Sequence, residues 1–299
     1  MIHLFSVPKV KIDIGPEDHL LHGKVVNQFE EEFAEYVGAK YCVAVNSCTM
    51  AIFLVLTFMK EALGICGFAK LSPYMPVVVL NAVKHAGWSY QWCLPVDWIG
   101  RSYELVGRGD QTIIDSAQEV CKNKCSENYY STWLYSFYPT KPVGGIDGGM
   151  IATNSKAMEE WLRVARMNGC RYSENSWSRE HHFAGWKAYM STVQATVAIN
   201  SLRTLDERME KLTAARDYYD ARIPEDRRVG NPSQHLYRVV GHPKNACVLG
   251  KNEIVFGCHY PPISDSGERT VLNSVSIPFH HNLTRKEQDK VCRVIDALK

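Results

Sequence analysis

The stretch Ser136-Phe137-Tyr138-Pro139-Thr140-Lys141-Pro142-Val143-Gly144-Gly145-Ile146-Asp147-Gly148-Gly149 places one lysine in a glycine-rich loop between two apolar runs. Trp133 to Phe137 before it and Met150 to Thr153 after it are short, rich in β-branched and aromatic residues and bounded by glycine, which reads as two strands. Upstream, Thr112-Ile113-Ile114-Asp115-Ser116-Ala117-Gln118 is another such run, and it ends on an acid. Working outward, the same pattern predicts strands near 41–45, 77–80, 112–115, 133–137 and 149–153, interleaved with helices. Val25, Phe29, Phe33 and Val37 recur at helical spacing and are closed by Gly38, a good C-terminal cap. Further helices are expected from Met158 to Gly169 and from Met190 towards Tyr219, the last bridging two domains. This alternation argues for an α/β domain with a mixed, mostly parallel sheet covered on both faces.

Composition narrows the class. A chain of 299 residues accommodates one large domain and a smaller one, and 45% apolar with 22% charged residues is ordinary for a globular enzyme. A net charge of +2 gives no basic footprint, so nucleic acid is not implied. The ten cysteines are scattered, and Cys121 with Cys125 has no second pair to make a zinc spacing. Adjacent His181 and His182 point in different directions on any regular element, so no shared metal site is expected. His280 and His281 follow Pro278 in what reads as a solvated loop. Arg171 to His182 is polar, contains Trp177, and reads as a loop near the site. The start lacks the flanks of a signal peptide, and no apolar run approaches the roughly 18 residues of a membrane span. A reduced, cytoplasmic interior is the expectation.

A third chemical element lies nearer the N-terminus, in Tyr41-Cys42-Val43-Ala44-Val45-Asn46-Ser47-Cys48-Thr49-Met50-Ala51. An apolar strand runs into a small polar turn and then a helix starting near Thr49. Helix N-termini present free N–H groups and partial positive charge, so such a turn readily holds a phosphate. It is no P-loop, since the glycines and the following Lys-Ser/Thr are missing. Singly, each element has an ordinary explanation: a surface lysine, a helix-capping Asp115, an N-cap by Asn46, Ser47 or Thr49. Together, an amine, a strand-end carboxylate and a hydroxyl near glycines are what a pyridoxal phosphate site requires.

In order and spacing these segments resemble the nucleotide-sugar aminotransferases often called the DegT family, enzymes of the fold type I class. Gly23 to Tyr41 is similar to the family's opening helix and first strand. Asn46-Ser47-Cys48-Thr49-Met50-Ala51 resembles its Ser-Gly-Thr-x-Ala phosphate turn, and Asn81 to Gly87 a helix of the cofactor domain. Ile114 to Gln118 and Ser136 to Gly149 are the most specific likenesses. Gly185-Trp186-Lys187-Ala188-Tyr189-Met190 resembles a segment that reaches into the neighbouring subunit. His235-Leu236-Tyr237, His259-Tyr260-Pro261-Pro262 and Ser276-Ile277-Pro278 are similar to landmarks of the small domain. The resemblance implies a cofactor-binding domain over 1–204 and a small C-terminal α+β domain over 205–299.

It also implies roles. Lys141 would form the Schiff base with pyridoxal 5'-phosphate, and Asp115 would hold the pyridine nitrogen protonated. Gln118 would bond the phenolic oxygen, Ser136 and Thr49 with the neighbouring Met50 amide would bind phosphate, and Tyr74 would stack on the ring. Lys187 would cross into the partner's site of a homodimer. The implied reaction moves an amino group from an amino acid, L-glutamate foremost, to a nucleotide-linked keto sugar. A dehydratase branch replaces the Schiff-base lysine with histidine, whereas Lys141 is intact here. A binding or regulatory protein is the remaining alternative, motivated by departures from the family: Cys48 replaces its glycine, Met50 a small residue, and Tyr189 stands where Arg or Asn is usual. The chain is also short, with only Trp98 to Gln111 where a further strand and helix are expected.

Overall fold

The computed structural model describes residues 1–8, 10, 12, 20–93, 98–108, 111–172, 178–230, 233–263, 273–295 and 298. The first half mixes helices and strands: α1 (Lys24–Val37), β1 (Tyr41–Val45), α2 (Cys48–Glu61), β2 (Phe68–Leu71), α3 (Val77–His85), β3 (Ser89–Trp92), β4 (Tyr103–Arg108), β5 (Gln111–Asp115), α4 (Lys124–Glu127), β6 (Ser131–Ser136), β7 (Gly149–Thr153) and α5 (Lys156–Ala165). There follow β8 (Cys170–Tyr172), β9 (Arg179–His181), α6 (Thr192–Arg203), α7 (Leu205–Asp220), β10 (Arg228–Val229), β11 (Tyr237–Val240), α8 (Cys247–Lys251), β12 (Ser274–Ile277) and α9 (Arg285–Ile295).

Helix α1 shows why the periodic reading works. Phe29, Phe33 and Val37 are fully buried, and Gly38 takes the left-handed φ of 74° while its N–H closes on the Ala34 carbonyl. Helix α2 is apolar nearly all round because it is covered on both sides: Leu54, Val55 and Leu56 have no exposed surface. The run 77–80 reads as a strand on its three valines, but the chain is helical there. Val79, Leu80 and Val83 fall on one helical face and pack into the same core as α2, and that burial overrides β-propensity.

The central sheet has the order β1-β7-β6-β5-β4. Strands β5 and β6 are parallel, whereas β1–β7, β6–β7 and β4–β5 are antiparallel. The sheet is therefore mixed, as expected, but antiparallel pairings outnumber the parallel one. The excess arises because β7 lies between β1 and β6 and β4 forms an antiparallel edge. A separate parallel pair, β2–β3, and an antiparallel pair, β8–β9, stand apart from it. The β8–β9 pair lies largely within Arg171 to His182, read from its polarity as a loop, because backbone pairing of Arg171 with Glu180 needs no apolar face; Trp177 lies outside the described residues. His181 is exposed, and among the described residues no cluster of potential metal ligands occurs.

Three cores hold the molecule. Two sandwich the central sheet: one under α2, α3 and α5, the other under α1 and α6. Glu30 of α1 ties the two sides together past β1. It accepts from the Ala44 amide (2.8 Å) and Arg163 (2.9 Å) and pairs with Arg166, which also donates to the Ala44 carbonyl at 2.6 Å. The third core belongs to the small domain of β10-β11-β12, α8 and α9. The helix expected from Met190 to Tyr219 is broken at Thr204. Helix α7 then starts in the second core with Leu205 and ends in the third with Leu212, Ala215 and Tyr219.

The N-terminal arm crosses the expected domain boundary. Ile2 bridges Ile254 and sits in the third core, and Phe279 N–H donates to the Leu4 carbonyl at 3.1 Å. That arm also corrects the expectation for His280 and His281, which are half-buried rather than solvated. His280 Nε2 lies 3.2 Å from the His3 carbonyl. No helix among the described residues is long and apolar enough to cross a membrane, and none of the ten cysteines is in a disulfide.

Candidate active site

Sheet register fixes the site. Strands β1, β5 and β6 point the same way, so Val45, Asp115 and Ser136 end at one edge of the sheet, where open α/β sheets bind ligands. The antiparallel neighbours deliver their starts to that edge: Tyr103 of β4 pairs with Asp115, and Gly149 of β7 pairs with both Val45 and Ser136. Gly149 is required there, because a Cβ would stand 2.6 Å from the Cys48 nitrogen. The close approach seats the start of α2 over the sheet edge. Ser47 caps that helix, accepting from the Met50 amide at 3.2 Å.

The loop carrying Lys141 is built from hydrogen bonds. Phe137 N–H donates to the Gly148 carbonyl, Gly145 N–H to the Phe137 carbonyl, and Lys141 N–H to the Tyr138 carbonyl, each at 2.9 Å. Arg208 of α7 straps it from outside by donating to the Pro142 carbonyl at 2.7 Å. A Cβ on Gly144 would lie 2.5 Å from the Pro139 carbonyl oxygen, so this tight turn excludes any side chain.

These elements enclose a cavity of about 420 Å³. Lys141, Asp115, Gln118, Ser136, Ser47, Cys48 and Thr49 line it, with Trp98, Tyr103 and Tyr260 as aromatic walls and His235 and His259 from the small-domain side. Asp115 is 3% exposed; it accepts from the Tyr103 hydroxyl at 2.6 Å and the Ala117 amide at 3.0 Å. Burial raises its pKa, against the opposing pull of those two donors and Lys141. Burial lowers the Lys141 ammonium to about 8, opposed by Asp115 and Cys48. Burial also pushes the Cys48 thiol well up. The carbonyl oxygen of the Gln118 side chain is buried with no hydrogen-bond partner among the described residues.

Of the residues singled out in the sequence, Lys141, Asp115, Gln118, Ser136 and Thr49 meet in this cavity. Met50 contributes its capped amide but does not line the wall. Tyr74 is elsewhere: it is buried in the first core, 5% exposed, and is not part of the lining. The adjacent turn before α3 directs it inwards, with its amide held by the Ser72 hydroxyl at 3.2 Å. Lys187 is exposed and outside the cavity. Sequence reasoning missed Trp98 and Tyr103, which lie in the segment noted only for its brevity. His235, His259 and Tyr260 were noticed as landmarks without a role; their clustering of ring side chains was the available signal.

A nucleophilic amine of depressed pKa, a buried carboxylate and a helix start facing one cavity define an amine-transfer or carbonyl-chemistry site on an α/β scaffold. The sequence pattern of the DegT/DnrJ/EryC1/StrS aminotransferase family matches residues 11–65 and 113–241, and the chain belongs to that family. Residues 66–112, between the two matched stretches, hold β2, α3, β3, β4 and the start of β5. The spore coat polysaccharide biosynthesis protein SpsC of Bacillus subtilis is 28% identical over 234 residues, which span 64% of this chain and 60% of that protein. The UDP-4-amino-4,6-dideoxy-N-acetyl-beta-L-altrosamine transaminase of Campylobacter jejuni (strain 81-176) is 24% identical, covering 95% of this chain and 93% of that enzyme. The aminotransferase TlmJ from Streptoalloteichus hindustanus shares the fold, with a TM-score of 0.78 at 20% identity over 99% of this chain and 98% of TlmJ.

Enzymes of this family use pyridoxal phosphate. The cavity fits that group. The start of α2 offers amides for a phosphate, the buried Asp115 suits a pyridinium N–H, and the orphaned Gln118 oxygen awaits a donor.

Proposed function

We propose that this chain is a pyridoxal-phosphate-dependent aminotransferase acting on a nucleotide-linked keto sugar, with an amino acid, L-glutamate foremost, as donor. The observation that carries the reading is the convergence of Lys141 and the buried Asp115 on one cavity at the start of α2. When bound, the cofactor supplies an aldehyde that takes up an amino group and a ring that withdraws electrons from the carbon being deprotonated. Ser136, Thr49 and the first amides of α2 hold its phosphate. Asp115 would lie at the pyridine nitrogen, and as a carboxylate it would favour the protonated ring. Lys141 would fasten the cofactor and, as a free amine, would carry a proton from and to the substrate carbon; an amine titrating at about 8 is neutral often enough for this task. Trp98, Tyr103 and Tyr260 shut water from the reacting atoms.

A homodimer with shared sites belongs to the same reading. The exposed Lys187 then reaches the partner's cavity, which accounts for a lysine that takes no part in its own. Donor and acceptor use one site in turn, so the half-reactions separate. L-glutamate alone should bleach the lysine-linked cofactor absorbance and release 2-oxoglutarate; a nucleotide-linked keto sugar should restore it and yield an amino sugar. Failure of every amino donor to bleach the band would end the aminotransferase reading. Bleaching by donors without recovery on any nucleotide sugar would discard the substrate class alone. A monodisperse, active monomer by light scattering would remove the role given to Lys187.

A further inference from the structure

His235 belongs to the small-domain side of the cavity, yet its Nε2 lies 3.4 Å from Lys141 Nζ. The ring is 4% exposed and stacks on Phe5 of the N-terminal arm, with centroids 4.9 Å apart and planes within 9°. Burial holds the imidazole well below its ordinary pKa, aided by Lys141 and His259 and opposed by the Thr140 backbone. A backbone group that favours the charged ring is a carbonyl accepting a ring N–H. Nε2 faces the Lys141 amine, which offers N–H donors in either protonation state, and this favours the neutral tautomer with its proton on Nδ1 and its lone pair on Nε2.

We propose that His235 is a positioning residue for Lys141, its Nε2 lone pair accepting one N–H of the lysine and thereby aiming the amine into the cavity. The inference rests on Lys141 being the transfer base of the proposed function. A neutral amine has two N–H groups and one lone pair. Tying one N–H to a fixed ring removes most of the rotation about the terminal carbon, so the lone pair keeps one bearing. His235 takes no proton itself: held neutral, it cannot compete for the proton that Lys141 must carry. The other titratable groups facing the pair are Asp115 from β5 and Cys48 from α2, which act on Lys141, and His259, which acts on His235. His259 is itself held near 4 by burial, so it adds no charge at neutral pH.

The test compares His235→Phe, which keeps the ring and its stack on Phe5, with His235→Gln, whose side-chain oxygen replaces the Nε2 acceptor. In cofactor-loaded enzyme, kcat of the Phe variant should fall roughly ten- to hundredfold with the donor KM within about twofold, and the Gln variant should recover much of it. In cofactor-free protein, the Lys141 resonance followed by lysine-labelled NMR, assigned with Lys141→Arg, should titrate below the parent's midpoint in the Phe variant. The ammonium loses an acceptor there, and the Gln variant should hold the parent midpoint. This titration stands whether or not the chain transfers amino groups, so failure of the function and failure of the contact are told apart. An unchanged midpoint and kcat in His235→Phe, or Gln behaving like Phe in both, overturns the proposal. Should His235→Phe not fold, Phe5→Leu frees the ring without touching the acceptor. A fall in kcat there supports the proposal, and an unchanged kcat overturns it.

Discussion

Tyr103→Phe isolates one hydrogen bond in the cavity wall. The ring, 7% exposed and packed against Trp98 at a centroid distance of 4.6 Å, keeps its place; only the hydroxyl that donates to Asp115 Oδ2 at 2.6 Å is lost. A hydrogen bond to a charged partner contributes about 1.5–3 kcal/mol net. One pKa unit corresponds to about 1.36 kcal/mol, so Asp115 should rise by roughly one to two units beyond its already raised value. The sign for stability follows from the direction of that shift. A carboxyl whose folded pKa lies above its unfolded value favours the folded state at low pH, and that advantage is lost as pH rises through the folded pKa. The variant should therefore be close to the parent near pH 4, about 1 kcal/mol apart or less for a neutral pair, and about 2 kcal/mol less stable at pH 7. Urea unfolding of cofactor-free protein at both pH values measures this, and the acid limb of the kcat profile should move up by the same one to two units. Equal losses at both pH values with an unmoved acid limb would refute the view that Tyr103 holds Asp115 in its ionised form.

Three further outcomes follow from the geometry. Lys141 titrates near about 8, so its capture of pyridoxal phosphate, read by stopped-flow absorbance, should quicken up to that pH and level off above it, and Lys141→Ala should show no lysine-linked band. Glu30→Gln removes the counter-charge of Arg166, itself 8% exposed, and should lower stability by about 3–5 kcal/mol in urea unfolding; a loss below about 1 kcal/mol would make the pair dispensable. Gly149→Ala drives a Cβ against the Cys48 nitrogen and should destabilise the chain by about 1–3 kcal/mol while weakening its hold on the cofactor phosphate, measured by calorimetry and dialysis.

The sequence revealed what short-range pattern controls. The expected strands 41–45 and 149–153 coincide with β1 and β7, and α1 closes on Gly38, because each is a strong apolar run with its own terminator. Asp115 and Ser136 were legible for the same reason, since they end such runs, and Lys141 because it stands in the glycine-rich loop between two of them. The misreading at 77–80 and the place of Tyr74 depend on which neighbour covers the segment, which no local window contains. Tyr103 reaches Asp115 only through the antiparallel edge pairing of β4 with β5, and His235 reaches Lys141 only through the docking of the small domain. The second contact joins residues 94 apart, and the first, though only 12 apart, depends on β4, a strand that the apolar pattern did not mark.

The arm that joins Ile2 to Ile254 has a consequence for how the chain reaches its final form. A fragment cut at Leu205 would keep every strand and helix of the small domain yet leave Ile254 and Phe279 without the backbone that covers them. Such a piece would present an unpaired, sticky margin, the kind of surface that draws other chains. Closing that margin joins residues at opposite ends of the numbering, and contacts of such long range form late. The small domain should thus be the last region to acquire protection from hydrogen exchange during refolding, and the first to lose it when the arm is peeled away.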